Sequence, residues 1–180
     1  TALPVILQDN ATITGDTVIN VTINNVNISS IAVRYNGTGS KIAGISLNNV
    51  NRIIVNMINV SVKTTNGNYG FYLINANNNT IKNSNSSRNN YGFYLLSSSN
   101  NTLTNNNASS NGNYGFFLTT SSNNNTLSNN TANSNAWGFQ LESNANFNTL
   151  INNTASSNSE AALLLDSSFN TLTNNNASSN

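Results

Sequence analysis

The feature that most constrains this chain is a fixed spacing. The tripeptide Asn-Thr-Leu/Ile recurs as Asn79-Thr80-Ile81, Asn101-Thr102-Leu103, Asn125-Thr126-Leu127, Asn148-Thr149-Leu150 and Asn170-Thr171-Leu172. Ten residues after each of these asparagines stands another: Asn89, Asn111, Asn135, Asn158 and Asn180. That interval never changes, while successive tripeptides lie 22, 24, 23 and 22 residues apart. A second landmark, Tyr69-Gly70-Phe71-Tyr72-Leu73, returns as Tyr91-Gly92-Phe93-Tyr94-Leu95, Tyr114-Gly115-Phe116-Phe117-Leu118 and Trp137-Gly138-Phe139-Gln140-Leu141. A degenerate copy, Glu160-Ala161-Ala162-Leu163-Leu164, follows. A period of this length marks a solenoid, in which each unit buries its apolar residues only against its neighbours.

Within one period the apolar spacing is that of strands. Phe71 and Leu73 stand two apart, as do Val60 and Val62, which is the spacing of one face of a strand. Asn, Gly and Ser clusters separate these short runs and suit corners, because Asn and Gly tolerate φ > 0. Helical repeats would need longer apolar periodicity and far fewer Asn and Gly. The expectation is an all-β, right-handed parallel β-helix with coils of about 22–24 residues. Parity places Phe71, Phe93, Phe116, Phe139 and Ala162 in one inward column. Leu73, Leu95, Leu118, Leu141 and Leu164 form a second, and Ile81, Leu103, Leu127, Leu150 and Leu172 a third. Ala108, Ala132, Ala155 and Ala177 read as a small-residue column where the coil is tight.

Two asparagine columns recur in all five regular coils. One is Asn79, Asn101, Asn125, Asn148 and Asn170; the other is Asn83, Asn105, Asn129, Asn152 and Asn174. A carboxamide both donates and accepts, so identical residues stacked at strand spacing can bond as a ladder. Both columns are read as inward structural ladders.

The whole chain, 1–180, reads as one domain. Residues 1–68 form longer, less regular coils, with Pro4-Val5-Ile6-Leu7 as a cap and Asn36-Gly37-Thr38-Gly39 as a turn. Residues 69–180 form the regular coils, and Asn174 to Asn180 is an ordinary repeat ending that predicts an uncapped last coil. Composition narrows the function. Charged residues are 6% of the chain and asparagine about a quarter, so polar amides take the place of charge. The net charge of +1 leaves no nucleic-acid footprint. No apolar run is long enough to span a membrane. With no His, no Cys and a single Met, Met57, no cofactor and no soft-metal site is expected.

Tyr-Gly-Phe-x-Leu followed by Ser-Ser-x-Asn-Asn-Thr-Leu-x-Asn-Asn, as in Ser97 to Asn106, resembles the repeat of NosD-like and archaeal surface proteins. These belong with the pectin-lyase-like right-handed β-helices. The resemblance covers Gly70 to Asn180 well and the first third loosely. It implies the fold, and a class that includes surface-layer and adhesion proteins, polysaccharide lyases and hydrolases, and a periplasmic copper-delivery protein. Lacking His and Cys, this chain departs from the copper role. The enzymes of this class cluster Asp with Arg or Lys on adjacent coils, and hydrolysis wants two carboxylates about 5–10 Å apart. Glu142 and Asp166 are the one candidate pair here, with no Lys or Arg after Arg88 to accompany them. No catalytic residues are assigned.

Three surface features remain. Tyr72, Tyr94 and Phe117 lie between inward Phe and Leu, so parity points them outward, with Gln140 and Leu163 continuing the row. The row is either a partner or glycan-stacking surface or ordinary stacking between coils. Among many Asn-x-Ser/Thr acceptors, Asn36, Asn85, Asn107 and Asn176 are the N-glycosylation candidates, whereas Asn129 and Asn152 are vetoed by their inward placement. Thr102-Leu103-Thr104 and its echoes form outward Thr ranks like an ice-binding face, interrupted at Lys82 and Ile151; β-propensity at a solvated strand explains them as well. The leading expectation is a non-enzymatic structural glycoprotein of an extracellular surface layer, sheath or filament, self-associating through its ends or faces. The alternatives are a carbohydrate-binding or polysaccharide-processing module whose partner is cell-surface polysaccharide, and an ice-binding protein.

Overall fold

The computed structural model describes residues 5–9, 17–36, 42–63 and 67–180. Among them there is no helix, and every strand pairs in parallel with the strand one coil away. The chain is a right-handed parallel β-solenoid of about six turns, as the period requires.

Three faces run its length. The first sheet has seven strands: Thr17–Val21, Ala43–Asn48, Tyr69–Ile74, Tyr91–Leu96, Tyr114–Thr119, Trp137–Glu142 and Ala161–Asp166. The second has seven shorter ones: Asn27–Ser29, Ile54–Asn56, Thr80–Lys82, Thr102–Thr104, Thr126–Ser128, Thr149–Ile151 and Thr171–Thr173. The third begins with Val5–Asp9, Ile31–Asn36, Asn59–Lys63 and Asn85–Ser86. It narrows to single bridges, Asn85 to Asn107 to Thr131 to Thr154. It widens again at Thr154–Ser156 and Asn176–Ser178. Spatial order along each face is sequence order, as stacked coils demand. The expected Pro4 cap and the turn from Asn36 to Gly39 fall largely outside the described residues.

Identical side chains stack inside. Phe71, Phe93, Phe116 and Phe139 form a file with centroids 4.5, 4.7 and 4.8 Å apart and planes within 7°. Such parallel stacks add about 0.5–1.5 kcal/mol per pair beyond area burial. Leu73, Leu95, Leu118 and Leu141, and Ile81, Leu103, Leu127 and Leu150, are buried beside them. Ala108, Ala132 and Ala155 fill the tight corner.

The last copy of the aromatic strand is shifted by one residue from its expected alignment. Leu163 pairs with Phe139 and Leu165 with Leu141, so Ala162 takes the glycine position and Leu164 lies in the outward row with Gln140. The corner explains the shift. Asn158 and Ala161 are three residues apart, like Asn111 and Tyr114, whereas Asn135 and Trp137 are two apart.

The first asparagine column is the buried ladder expected. The backbone N–H groups of Asn79, Asn101, Asn125 and Asn148 each donate to the Oδ1 one coil on, at 2.7–2.9 Å. The Nδ2 groups of Asn101, Asn125 and Asn148 donate to the carbonyls of Ala76, Ser98 and Ser122. Each carboxamide thus satisfies corner backbone that no strand partner reaches.

The second column is corrected by one position. Asn83, Asn105, Asn129, Asn152 and Asn174 are exposed and hold φ of 52–55°. The left-handed residue turns the corner and breaks the alternation, so the next residue points inward. The buried column is therefore Ser84, Asn106, Asn130 and Asn153, with Asn175 at its end. The exposed column forms no continuous ladder: Asn83 Nδ2 donates to Asn56 Oδ1 at 2.9 Å, and Asn105 Nδ2 reaches Asn83 Oδ1 only at 3.5 Å. A third buried ladder runs through Asn89, Asn111, Asn135 and Asn158 to Asn180. The invariant ten-residue interval joins the first and third ladders. No residue can be inserted between them without breaking hydrogen-bond register at both corners.

Candidate functional site

The first sheet presents an aromatic ridge that is twice as wide as the sequence suggested. Its origin is the glycine column. A Cβ on Gly115 would lie 2.6 Å from the Gly138 carbonyl oxygen and 2.7 Å from the Ala132 Cβ, inside the coil. Gly115 and Phe116 therefore both face inward, as do their equivalents in neighbouring coils. The outward positions become the residues on either side of this pair, three apart. Tyr69, Tyr91, Tyr114 and Trp137 form one outer file in register, and Tyr72, Tyr94, Phe117 and Gln140 the other. Simple parity had found only the second file. The glycine invariably preceding the inward Phe was the available signal for the first.

The two files interlock. Tyr69 stacks on Tyr72 at 4.5 Å, on Tyr91 at 5.1 Å and on Tyr94 at 5.4 Å. Tyr94 stacks on Phe117 at 5.1 Å and Tyr114 on Trp137 at 4.9 Å. Within the second file the planes are parallel to 4–7°. Stacked rings cover one another's faces, so the ridge offers edges and phenolic hydroxyls to solvent. Tyr72 and Tyr94 are half-buried and Phe117 is buried. The row stacks between coils, and the Tyr72 and Tyr94 rings stay partly exposed.

Burial pushes the Tyr69 phenol up to about 12, with the neighbouring phenols of Tyr72 and Tyr91 adding to it. Tyr94 is raised by burial, then by the same cluster and by Glu142. Tyr72 is raised by burial, and Tyr114 by burial, Tyr91 and Glu142. These hydroxyls stay protonated, and so remain hydrogen-bond donors, through the neutral range.

The ridge ends at a small polar group. Gln140 is buried and its Nε2 donates to Glu142 Oε2 at 2.9 Å, while Thr119 Oγ1 donates to Oε1 at 3.4 Å. Gln140 Oε1 is buried with no hydrogen-bond partner. Glu142 and Asp166 are direct register partners on adjacent strands; the expected alignment put them one residue out of step, and the shift of the last strand brings them together. No group of three or more His, Cys, Asp or Glu that could hold a metal ion occurs among the described residues.

The remaining surface candidates scatter around the other faces. Thr80, Thr102, Thr126, Thr149 and Thr171 form one unbroken rank on the second sheet; the parallel rank reads Lys82, Thr104, Ser128, Ile151 and Thr173. Of the glycosylation candidates, Asn107 and Asn176 are exposed. Asn85 is half-buried and donates to Asn59 Oδ1 at 3.2 Å. The Asn36 side chain lies outside the described residues. Asn129 and Asn152, vetoed as inward, are exposed corner residues.

With this geometry in place, comparison with known proteins defines the class. The chain belongs to the right-handed beta helix region family, which matches residues 9–177. A search of curated proteins gave no match. Among solved structures it is similar to a mutant of the periplasmic alginate epimerase AlgG, with 18% identity and a TM-score of 0.67, covering 83% of this chain and 40% of that one. A double mutant of the same protein gives 18% identity and a TM-score of 0.63, covering 87% and 44%. The A-module of the mannuronan C-5 epimerase AlgE4 of Azotobacter vinelandii gives 13% identity and a TM-score of 0.54, covering 87% and 60%. This chain spans about two fifths of the AlgG structures and three fifths of the AlgE4 module. At these identities the likeness establishes the fold alone. No helix among the described residues is long and apolar enough to cross a membrane.

Proposed function

We propose that this β-helix is a non-catalytic polysaccharide-binding module of an extracytoplasmic protein, holding a glycan along its aromatic ridge. The observation that carries this reading is the double file of rings on the first sheet, half-buried except for the buried Phe117, with protonated phenols along its rim. A pyranose presents apolar C–H faces and hydroxyls together, and a surface of ring edges and phenols complements both. The ridge crosses four coils at about 4.8 Å each, so an extended glycan lying along the solenoid axis meets a similar surface coil after coil. The epimerase neighbours support the reading by analogy of fold, and the periplasmic location of AlgG supports the compartment.

Catalysis is not part of the proposal. Glu142 is engaged by Gln140 and Thr119, and the ridge strands themselves contain no Lys or Arg to stabilise developing negative charge. The narrower NosD-like, archaeal surface-protein kinship rests on the Tyr-Gly-Phe-x-Leu repeat and fits a surface role. Self-association into a layer or filament is the competing reading, with a second copy in place of the glycan.

Affinity electrophoresis through gels containing soluble polysaccharides tests the proposal. Retardation by at least one glycan is expected. Tyr72→Phe with Tyr94→Phe keeps the ring stacks and removes two hydroxyls, and should weaken retention by about tenfold. Thr102→Ala with Thr126→Ala, on the second sheet, should leave it unchanged. No retardation by any glycan, with concentration-dependent sedimentation instead, would favour self-assembly.

A further inference from the structure

We infer that the ridge selects neutral glycans and rejects polyuronates. This rests on the glycan-binding reading and adds the substrate's charge class. The seven strands of the first sheet contain no Lys or Arg. The cations among the described residues lie off these strands: Arg34 and Lys63 are on the third sheet, Lys82 on the second, and Arg52 and Arg88 at corners with φ of 58° and 60°. The two charges on the first sheet are both negative and adjacent, Glu142 beside Asp166.

A neutral pyranose needs only hydroxyl partners and apolar contact, and the ridge supplies both. A uronate brings one carboxylate per sugar. Laid on half-buried rings, each carboxylate loses water and gains no guanidinium or ammonium from the strands beneath it, an unfavourable exchange. Phenol donors offset part of that loss near Tyr69 to Tyr114. Towards Gln140 the surface turns acidic, and Glu142 and Asp166 repel a polyanion there without touching a neutral chain.

The test compares the intact protein's affinity for neutral polysaccharides (hydroxyethylcellulose, galactomannan, laminarin) with that for alginate and polygalacturonate, by calorimetry at low salt. The best neutral glycan should bind at least about tenfold tighter than either polyuronate. Raising the salt should narrow the gap by screening the acidic end. Glu142→Gln with Asp166→Asn should raise polyuronate affinity several-fold and change neutral affinity by less than about two-fold. Polyuronate binding as tight as neutral binding, or unaltered polyuronate affinity in the double variant, would overturn the charge selectivity while leaving glycan binding intact. Binding to none of the five would overturn the underlying reading as well.

Discussion

Replacing Asn125 by Ala isolates what a buried amide does in this fold. Asn125 sits mid-ladder and is 1% exposed. Its Oδ1 accepts from the Asn101 backbone N–H at 2.8 Å and from Asn101 Nδ2 at 3.1 Å. Its Nδ2 donates to the Ser98 carbonyl at 3.0 Å and to Asn148 Oδ1 at 3.0 Å. Two neighbours survive truncation, because Asn101 Nδ2 also bonds the Ala76 carbonyl and Asn148 Oδ1 also accepts the backbone N–H of residue 125. Two do not: the Asn101 N–H and the Ser98 carbonyl lose their partner in a dry corner. At about 1–3 kcal/mol for each buried orphan the variant should lose about 2–6 kcal/mol. The control is Asn129→Ala, four residues on, where an exposed side chain is removed from a left-handed corner with φ 54°. That change costs about 1 kcal/mol through the backbone alone, and Asn129→Gly should recover it. Urea unfolding followed by far-UV circular dichroism and by the fluorescence of Trp137, the sole tryptophan, gives both midpoints. Equal midpoints for the two alanine variants would refute the assignment of inner and outer columns.

Gly115→Ala should destabilise by about 1–3 kcal/mol, because its Cβ would press on the Gly138 carbonyl and the Ala132 methyl. Gly112→Ala, whose Cβ would approach nothing closer than 3.6 Å, should be neutral or mildly stabilising in the same thermal melts. Phe147 and Phe169 hold φ of 56° and 58° at the corner where the three preceding coils have Asn78, Asn100 and Asn124. Phe147→Asn should therefore raise the unfolding free energy by up to about 1 kcal/mol, less the exposed stack with Phe169 at 5.1 Å; a clear fall in the thermal midpoint would show that the stack outweighs backbone strain. Because the folded Tyr69 phenol titrates near 12 against 10 when unfolded, its contribution is fully present below pH 10 and is lost as pH rises towards 12. Absorbance titration at the phenolate band should show late ionisation together with alkaline loss of stability, and Tyr69→Phe should flatten that loss.

The sequence alone determined the coil. A period of 22–24 residues with two-residue apolar spacing leaves no architecture but stacked short strands, so the Phe, Leu and Ile files could be read as columns. The Asn79 ladder and the nearness of Glu142 to Asp166 were legible for the same reason, since neighbours in a solenoid are residues one period apart. Tertiary structure decided which way side chains point wherever alternation breaks. In pairs such as Asn105-Asn106 and Asn129-Asn130 either amide can adopt the left-handed corner, and only packing against adjacent coils selects the first as the turn and the second as the buried rung. The same holds at Gly115-Phe116, where the missing Cβ permits two successive inward residues and thereby sends Tyr114 outward to double the ridge. Parity is a local rule that holds only while φ stays extended. The breaks are set by contacts between coils, and they decided the width of the surface from which function is inferred.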